Sequence, residues 1–203
     1  LRFACGLAAL ASALVATPAR AQVRWEASAQ LGISKRWLTD RPSGAKDAWP
    51  GPSVQLASHV TLVPLVQLGA YVGHELSPMP SDASMRHLTS TGLRVKGLLP
   101  FLGKAKRAWI FAGFGHAWAY APGFNATSSE PVHVASASGR FFEVPLGLGA
   151  QYKFFDPWAI SVELGLRLGL GHQGALYAPG SERSARGLDA FAAGLWIGIA
   201  YAR

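Results

Sequence analysis

Along residues 158–172 the even positions carry Trp158, Ile160, Val162, Leu164, Leu166, Leu168, Leu170 and His172, while the odd positions carry Ser161, Glu163, Gly165, Arg167, Gly169 and Gly171. A period of two over that length predicts a β-strand with two unlike faces. Trp25, Ala27, Ala29, Leu31 and Ile33 alternate in the same way with Glu26, Ser28, Gln30, Gly32 and Ser34. So do Phe142, Val144, Leu146, Leu148, Ala150, Tyr152 and Phe154 with Glu143, Pro145, Gly147, Gly149, Gln151 and Lys153. Five further strands are predicted at Val54–Leu62, Val66–Val72, Leu93–Val95, Ala108–Phe114 and Phe191–Tyr201. That makes eight in chain order, with no helical period among them.

The connections alternate in length. Tight or short ones fall at Val63-Pro64, near 100–106 and at Phe155-Asp156-Pro157; longer ones fall near 38–52, 77–84, 121–139 and 175–185. An up-and-down barrel with an even number of strands requires this, since its hairpins then gather by length at two rims. After Ala21 no run of eighteen apolar residues occurs, so no membrane-spanning helix is predicted. Roughly ten strand residues at about 3.3 Å each, tilted near 45°, climb on the order of 23 Å, the height of an outer-membrane apolar band.

A soluble barrel would turn its apolar face inward, so the opposite face decides. In the 108–119 strand it reads Trp109, Phe111, Gly113, Gly115, Ala117, Ala119, and in the last strand Ala190, Ala192, Gly194, Trp196, Gly198, Ala200. Neither list holds a charge. Small residues with a few large rings suit a narrow lumen better than a wall facing water. The expected fold is therefore all-β, an eight-stranded antiparallel up-and-down transmembrane β-barrel. Aromatic girdles agree: Trp25, Phe154, Trp158 and Tyr201 fall near the short-turn rim, and Trp37, Trp118, Tyr120 and Phe142 near the long-loop rim.

The same parity places Glu26, Glu75, Arg86, Arg94, Lys96, Glu143, Lys153, Glu163 and Arg167 in the lumen. If the third and fourth strands pair with indices summing to 161, Glu75 faces Arg86 and, on the outer side, His74 faces His87. Arg94 and Glu163 fall at similar heights, as do Lys96 and Glu26. Such charges either satisfy one another and plug the barrel or line a gated path for small solutes. His116 and His172 are expected outside, at the level of His74 and His87. These histidines are suited either to a metal or lipopolysaccharide phosphate, or simply to a polar tip at an interface.

The ends of the chain add a destination. Arg2, an apolar run through Thr17 and the ending Pro18-Ala19-Arg20-Ala21 predict a secretory signal peptide over residues 1–21, cut after Ala21, with the barrel domain over 22–203. Cys5, the sole cysteine, falls in that leader, so no disulfide or thiolate chemistry is expected afterwards. Without Arg2 and Arg20, 17 basic residues face 11 acidic ones, a net charge of +6. Export argues against nucleic acid as the partner and favours an anionic lipid surface. Lys104, Lys106 and Arg107 at a short turn are placed to meet such lipid.

An acyl-transfer or hydrolytic site needs a nucleophile beside a base. His87-Leu88-Thr89 puts an imidazole and a hydroxyl on one face without a nearby carboxylate, His133-Val134-Ala135-Ser136 lies in a loop, and Gly171-His172-Gln173-Gly174 has no nucleophile. No catalytic residue is assigned. With neither metal-ligand spacing nor a phosphate-binding glycine motif, no metal or cofactor is expected. No linker or composition shift marks a second domain.

The alternation, the stretch Phe142-Glu143-Val144-Pro145-Leu146-Gly147-Leu148-Gly149-Ala150-Gln151-Tyr152-Lys153-Phe154 and a last strand running to the chain end make residues 22–203 resemble the small eight-stranded outer-membrane barrels, the broad family of outer-membrane proteins A, X and W. The resemblance implies a bacterial outer membrane as location, lipid and lipopolysaccharide as surroundings, and insertion by the barrel assembly machinery. Family members usually end on an aromatic residue, whereas this chain ends Tyr201-Ala202-Arg203, so either Tyr201 serves two residues early or the recognition differs. Both termini are expected on the periplasmic side. A structural or adhesion-type surface protein, with an extracellular ligand at the long loops, is the expected role. The alternatives are a narrow channel for small or apolar solutes, a lipid-modifying enzyme and a soluble ligand-binding barrel.

Overall fold

The computed structural model describes residues 24–39, 48–79, 84–100, 105–126, 132–177 and 188–203. The signal peptide assigned to 1–21 and Lys104 lie outside them, as do the side chains of 132–134, and with them that of His133. Ten strands follow in order: β1 Trp25–Thr39, β2 Gly51–Val63, β3 Val66–Met79, β4 Ser84–Leu99, β5 Lys106–Ala121, β6 Phe124–Ala126, β7 Val132–Val134, β8 Ala137–Phe155, β9 Trp158–Gln173 and β10 Leu188–Ala202. Eight of them form one closed antiparallel ring in the order β1-β10-β9-β8-β5-β4-β3-β2; β6 and β7 make a separate two-stranded hairpin within the long β5–β8 connection. Among the described residues no helix is long and apolar enough to cross a membrane, which says nothing about crossing by strands.

Closure follows from the first and last strands, paired from Glu26↔Ala202 to Thr39↔Leu188, with Trp25 and Arg203 exchanging backbone hydrogen bonds at the rim. Every strand of the ring thereby finds both neighbours, and no edge is left to recruit another chain. The alternation read from the sequence becomes two surfaces. Leu31, Ile110, Phe114, Leu148, Leu164 and Ile197 are among an exposed apolar belt, while the residues between them are buried in the lumen. The outer wall of this barrel is thus the reverse of a water-soluble one.

The lumen holds rings as well as charges. Trp109, Phe111 and Trp196 are buried, and glycines on their own or neighbouring strands give them room. A Cβ on Gly149 would stand 2.4 Å from the Trp109 ring, and one on Gly194 would stand 2.2 Å from that of Trp196.

Two irregularities near the long-loop rim break the period of two. In β9 the pairing runs from Phe142↔Leu170 to Arg140↔Gln173, so β9 carries one extra residue there, next to Gly171 at φ 66°. In β10 it runs from Trp37↔Phe191 to Leu38↔Asp189, which skips Ala190. A β-bulge of this kind moves every later side chain to the other face.

The β3–β4 hairpin also differs from expectation. Its pairs sum to 163, with Glu75↔Leu88, Ser77↔Arg86 and His74↔Thr89. The strands pair as far as Met79↔Ser84, two steps from the register expected for this hairpin. A shift of two keeps every side chain on its own face but changes its neighbour. Glu75 and Arg86 therefore both point into the lumen, yet they do not face each other.

Candidate functional site

Five cations and five carboxylates are buried in the lumen among the described residues: Arg36, Arg86, Arg94, Lys96 and Arg167, with Glu26, Glu75, Glu143, Glu163 and Asp189. They form three tiers. In the tier nearest the short-turn rim, Lys96 Nζ lies 3.0 Å from Glu26 Oε1 and 3.7 Å from Glu163 Oε1. Arg94 donates to both Glu163 oxygens at 2.9 and 3.1 Å and, through Nε, to His59 Nε2 at 2.8 Å. Gln55 Nε2 donates to Glu163 at 2.9 Å and also to Gln30, which in turn reaches Ser161.

The middle tier is a closed quartet. Arg36 meets Glu75 at 2.9 Å and Glu143 at 2.8 Å; Arg167 meets the same two carboxylates at 3.0 and 3.4 Å. Arg167 also donates through Nη1 to Ser90 Oγ at 3.0 Å and through Nη2 to Gln55 Oε1 at 2.8 Å. Each guanidinium thus finds two carboxylates and each carboxylate two guanidiniums, which balances the buried charges, while Arg36 Nη1 and Glu75 Oε1 make no hydrogen bond among the described residues.

The mouth tier joins Arg86 to Asp189, which also accepts from the Tyr177 hydroxyl, while Arg86 donates to that hydroxyl at 2.7 Å. Tyr177 belongs to the turn after β9 and closes the mouth over an apolar cluster of Leu88, Ala117, Ala119, Phe141 and Leu176. Burial first, and then the Asp189 carboxylate, push the Tyr177 phenol well above its usual range.

Each lumen cation also lies over a ring: Lys96 over Trp109 at 4.3 Å, Arg167 over Trp196 at 4.9 Å, Arg94 over Phe111 at 5.0 Å, Arg86 over Tyr177 at 5.5 Å and Arg36 over Phe141 at 5.7 Å. In a water-poor lumen such contacts contribute beyond the ion pairs. Between these groups remains a void of about 10 Å³ beside Gln55, Tyr71, Phe111 and Trp196. That is the room of about one water molecule.

The structure gathers eight of the nine charges assigned to the lumen, and pairs Arg94 with Glu163 and Lys96 with Glu26. Lys153 is the exception and a correction. It sits near the end of β8 opposite Ala159, 42% exposed, and pairs with Asp156 of the turn at 2.7 Å. The Glu75–Arg86 pair is also corrected, since Glu75 binds Arg36 and Arg167 whereas Arg86 binds Asp189. Two charged members were missed by sequence reasoning. Arg36 continues the even-numbered lumen face of β1 past Ser34, a signal present in the sequence; Asp189 turns inward only because of the Ala190 bulge.

His74 and His116 point outward. His74 Nδ1 is 2.9 Å from Thr89 Oγ1 and its ring 5.7 Å from that of His87; His116 lies between Trp118 and Phe142, at 4.5 and 5.5 Å. His172 is corrected: past the Gly171 bulge it turns toward the mouth, between Phe141 at 4.9 Å and Tyr177 at 4.8 Å. No group of three or more His, Cys, Asp or Glu able to hold a metal occurs among the described residues. His74 and Thr89 bring an imidazole to a hydroxyl, but no described carboxylate stands on that face to orient them.

The aromatic girdles form two clusters. At the short-turn rim Tyr201 packs on Trp25 at 5.4 Å and Trp158 at 5.1 Å, with Phe154 against Phe155 nearby. At the long-loop rim Trp37 stacks on Phe191 at 4.4 Å, and Trp118 and Tyr120 are about half exposed.

No protein-family model matches the chain, and no curated protein matches it. Solved structures do. A major outer membrane protein from Thermus thermophilus aligns with a TM-score of 0.64 at 12% identity, covering 90% of this chain and 100% of that one. Neisserial surface protein A aligns with a TM-score of 0.56 at 8% identity, covering 87% and 96%. The chain therefore has the fold of the small eight-stranded outer-membrane β-barrels.

Proposed function

We propose that this chain is a bacterial outer-membrane barrel with a structural or adhesion-type surface role, its lumen closed by paired charges. The quartet of Arg36, Arg167, Glu75 and Glu143 carries the reading: it ties β1, β3, β8 and β9 together across the lumen at 2.8–3.4 Å. The exposed apolar belt and the two aromatic clusters support a lipid surrounding, because water would not favour that wall. In this reading the signal peptide is removed after Ala21, the short-turn rim and both termini face the periplasm, and Tyr201 is the aromatic signal to the assembly machinery. Lipopolysaccharide surrounds the opposite rim, where the long loops meet an extracellular ligand. Rigid barrels usually place partner contacts on such loops.

The test is planar-bilayer recording on refolded protein that shows the heat-dependent gel shift of a closed barrel. The expected result is no steady current for small ions. Stable conductance steps would overturn the plug. They would favour a narrow channel, the second reading, which has its own support: Ser28 Oγ, His59 Nδ1, Gln67 Oε1 and Gln151 Oε1 are buried without partners among the described residues, a polar surface suited to water.

A further inference from the structure

We infer that the groove on the outside of the barrel at the long-loop rim, across β4, β5, β8 and β9, docks the phosphorylated headgroup of an outer-leaflet glycolipid of the lipid A type. The inference rests on the membrane reading above. The groove has a volume of about 570 Å³ and is lined by His87, Thr89, Trp118, Tyr120, Arg140 and Gln173 among others.

Arg140 is its centre. It faces outward from β8, paired across to Trp118 on one side and Gln173 on the other, and its Nη2 donates to Gln173 Oε1 at 3.2 Å. The bulge beside Gly171 makes this neighbour available, since it places Gln173 rather than His172 opposite Arg140. A guanidinium has five donors in a planar fork, and one bond to a neutral amide leaves most of them for a ligand.

Among the described residues the charge around it is one-sided. Of the six described carboxylates, Glu26, Glu75, Glu143, Glu163 and Asp189 are buried in the lumen and Asp156 lies in a turn at the opposite rim. Arg140 therefore meets no described anion at the level where the apolar belt ends. Phosphate complements a guanidinium by two parallel hydrogen bonds, which a zwitterionic headgroup offers only against its own cation. His87, Thr89 and Tyr120 add polar groups for sugar hydroxyls, and His74 holds the Thr89 hydroxyl at 2.9 Å. Below, Phe114 and Phe142, both exposed, continue the wall into the belt, where acyl chains would lie. A phosphate at this rim with several acyl chains beneath it points to the glycolipid rather than to a soluble anion.

The test uses the full chain refolded in phosphatidylcholine vesicles, alone or with added bis-phosphorylated lipid A, dephosphorylated lipid A or phosphatidylglycerol. Tryptophan fluorescence and the temperature at which the folded gel band is lost are followed during each titration. Bis-phosphorylated lipid A is expected to bind and to raise that temperature. Arg140→Glu and Arg140→Gln should each weaken this binding about tenfold, the scale of one charge-assisted bond, while Lys35→Glu elsewhere on the rim leaves it unchanged. Arg140→Gln decides the matter if the charge reversal does not fold. An equal response to dephosphorylated lipid A or to phosphatidylglycerol, or binding indifferent to Arg140, overturns the site. Loss of the folded band in phosphatidylcholine alone would instead overturn the barrel reading itself.

Discussion

Arg86 on β4 is ion-paired with Asp189 on β10, and these strands stand opposite each other in the eight-strand ring, with three strands between them on either side. The bond spans the full mouth of the barrel. Both side chains are buried, so it is a brace across the lumen and not a surface pair of negligible worth.

Removing one end of that brace leaves a buried charge without its counter-charge. Asp189→Asn is expected to cost about 3–5 kcal/mol, read as a lower urea midpoint for the gel shift in vesicles. Replacing both ends by apolar residues, Arg86→Met with Asp189→Leu, is expected to recover most of that loss. A double variant as unstable as the single one would mean that the pair has no electrostatic share in stability.

The middle tier predicts selectivity. Glu75→Ala with Glu143→Ala leaves Arg36 and Arg167 facing a widened middle tier stripped of its own two carboxylates. If this protein folds, its bilayer current is expected to be anion-selective, because two uncompensated cations set the field of the constriction. Reversal potentials in a salt gradient give the sign.

Packing gives a prediction independent of charge. A methyl group on Gly149 meets the Trp109 ring at 2.4 Å, and Trp109 is buried beneath Lys96. Gly149→Ala is expected to destabilise the barrel by about 1–3 kcal/mol, and pairing it with Trp109→Leu should recover part of the loss. Equilibrium unfolding of the single and double variants checks this.

Tyr177 supplies a pH dependence. Its folded phenol is held above the usual value of 10.0, first by burial and then by Asp189, so the folded state keeps the proton longer than the unfolded chain does. The stabilisation is full below about pH 10 and is lost as pH rises beyond it. Phenolate absorbance of wild type and Tyr177→Phe should coincide up to pH values at which the barrel opens. An extra phenolate in the wild type near pH 10 would show that Tyr177 is not closed in the mouth.

Much of the lumen was legible from parity alone. Arg94, Lys96, Glu163 and Glu26 fall on the inner face by counting in twos, and their heights follow from counting up from the short turns. Glu75 and Arg86 show where that counting stops: a register two residues away leaves both inside and gives each a different partner. Asp189 and His172 show a second limit. Each lies past an extra residue in its strand, and one inserted residue inverts the face of all that follow.

Away from those bulges, the sequence by itself determined which residues face outward and which face the lumen, because alternation is a property of each strand's own backbone. Only the tertiary structure decided which lumen charge meets which. Arg36 reaches Glu75 over β2, Arg167 reaches Glu75 from the opposite wall, and Arg86 reaches Asp189 across the whole mouth. Those contacts depend on ring closure and strand stagger, which relate residues far apart in the chain and leave no local pattern to read.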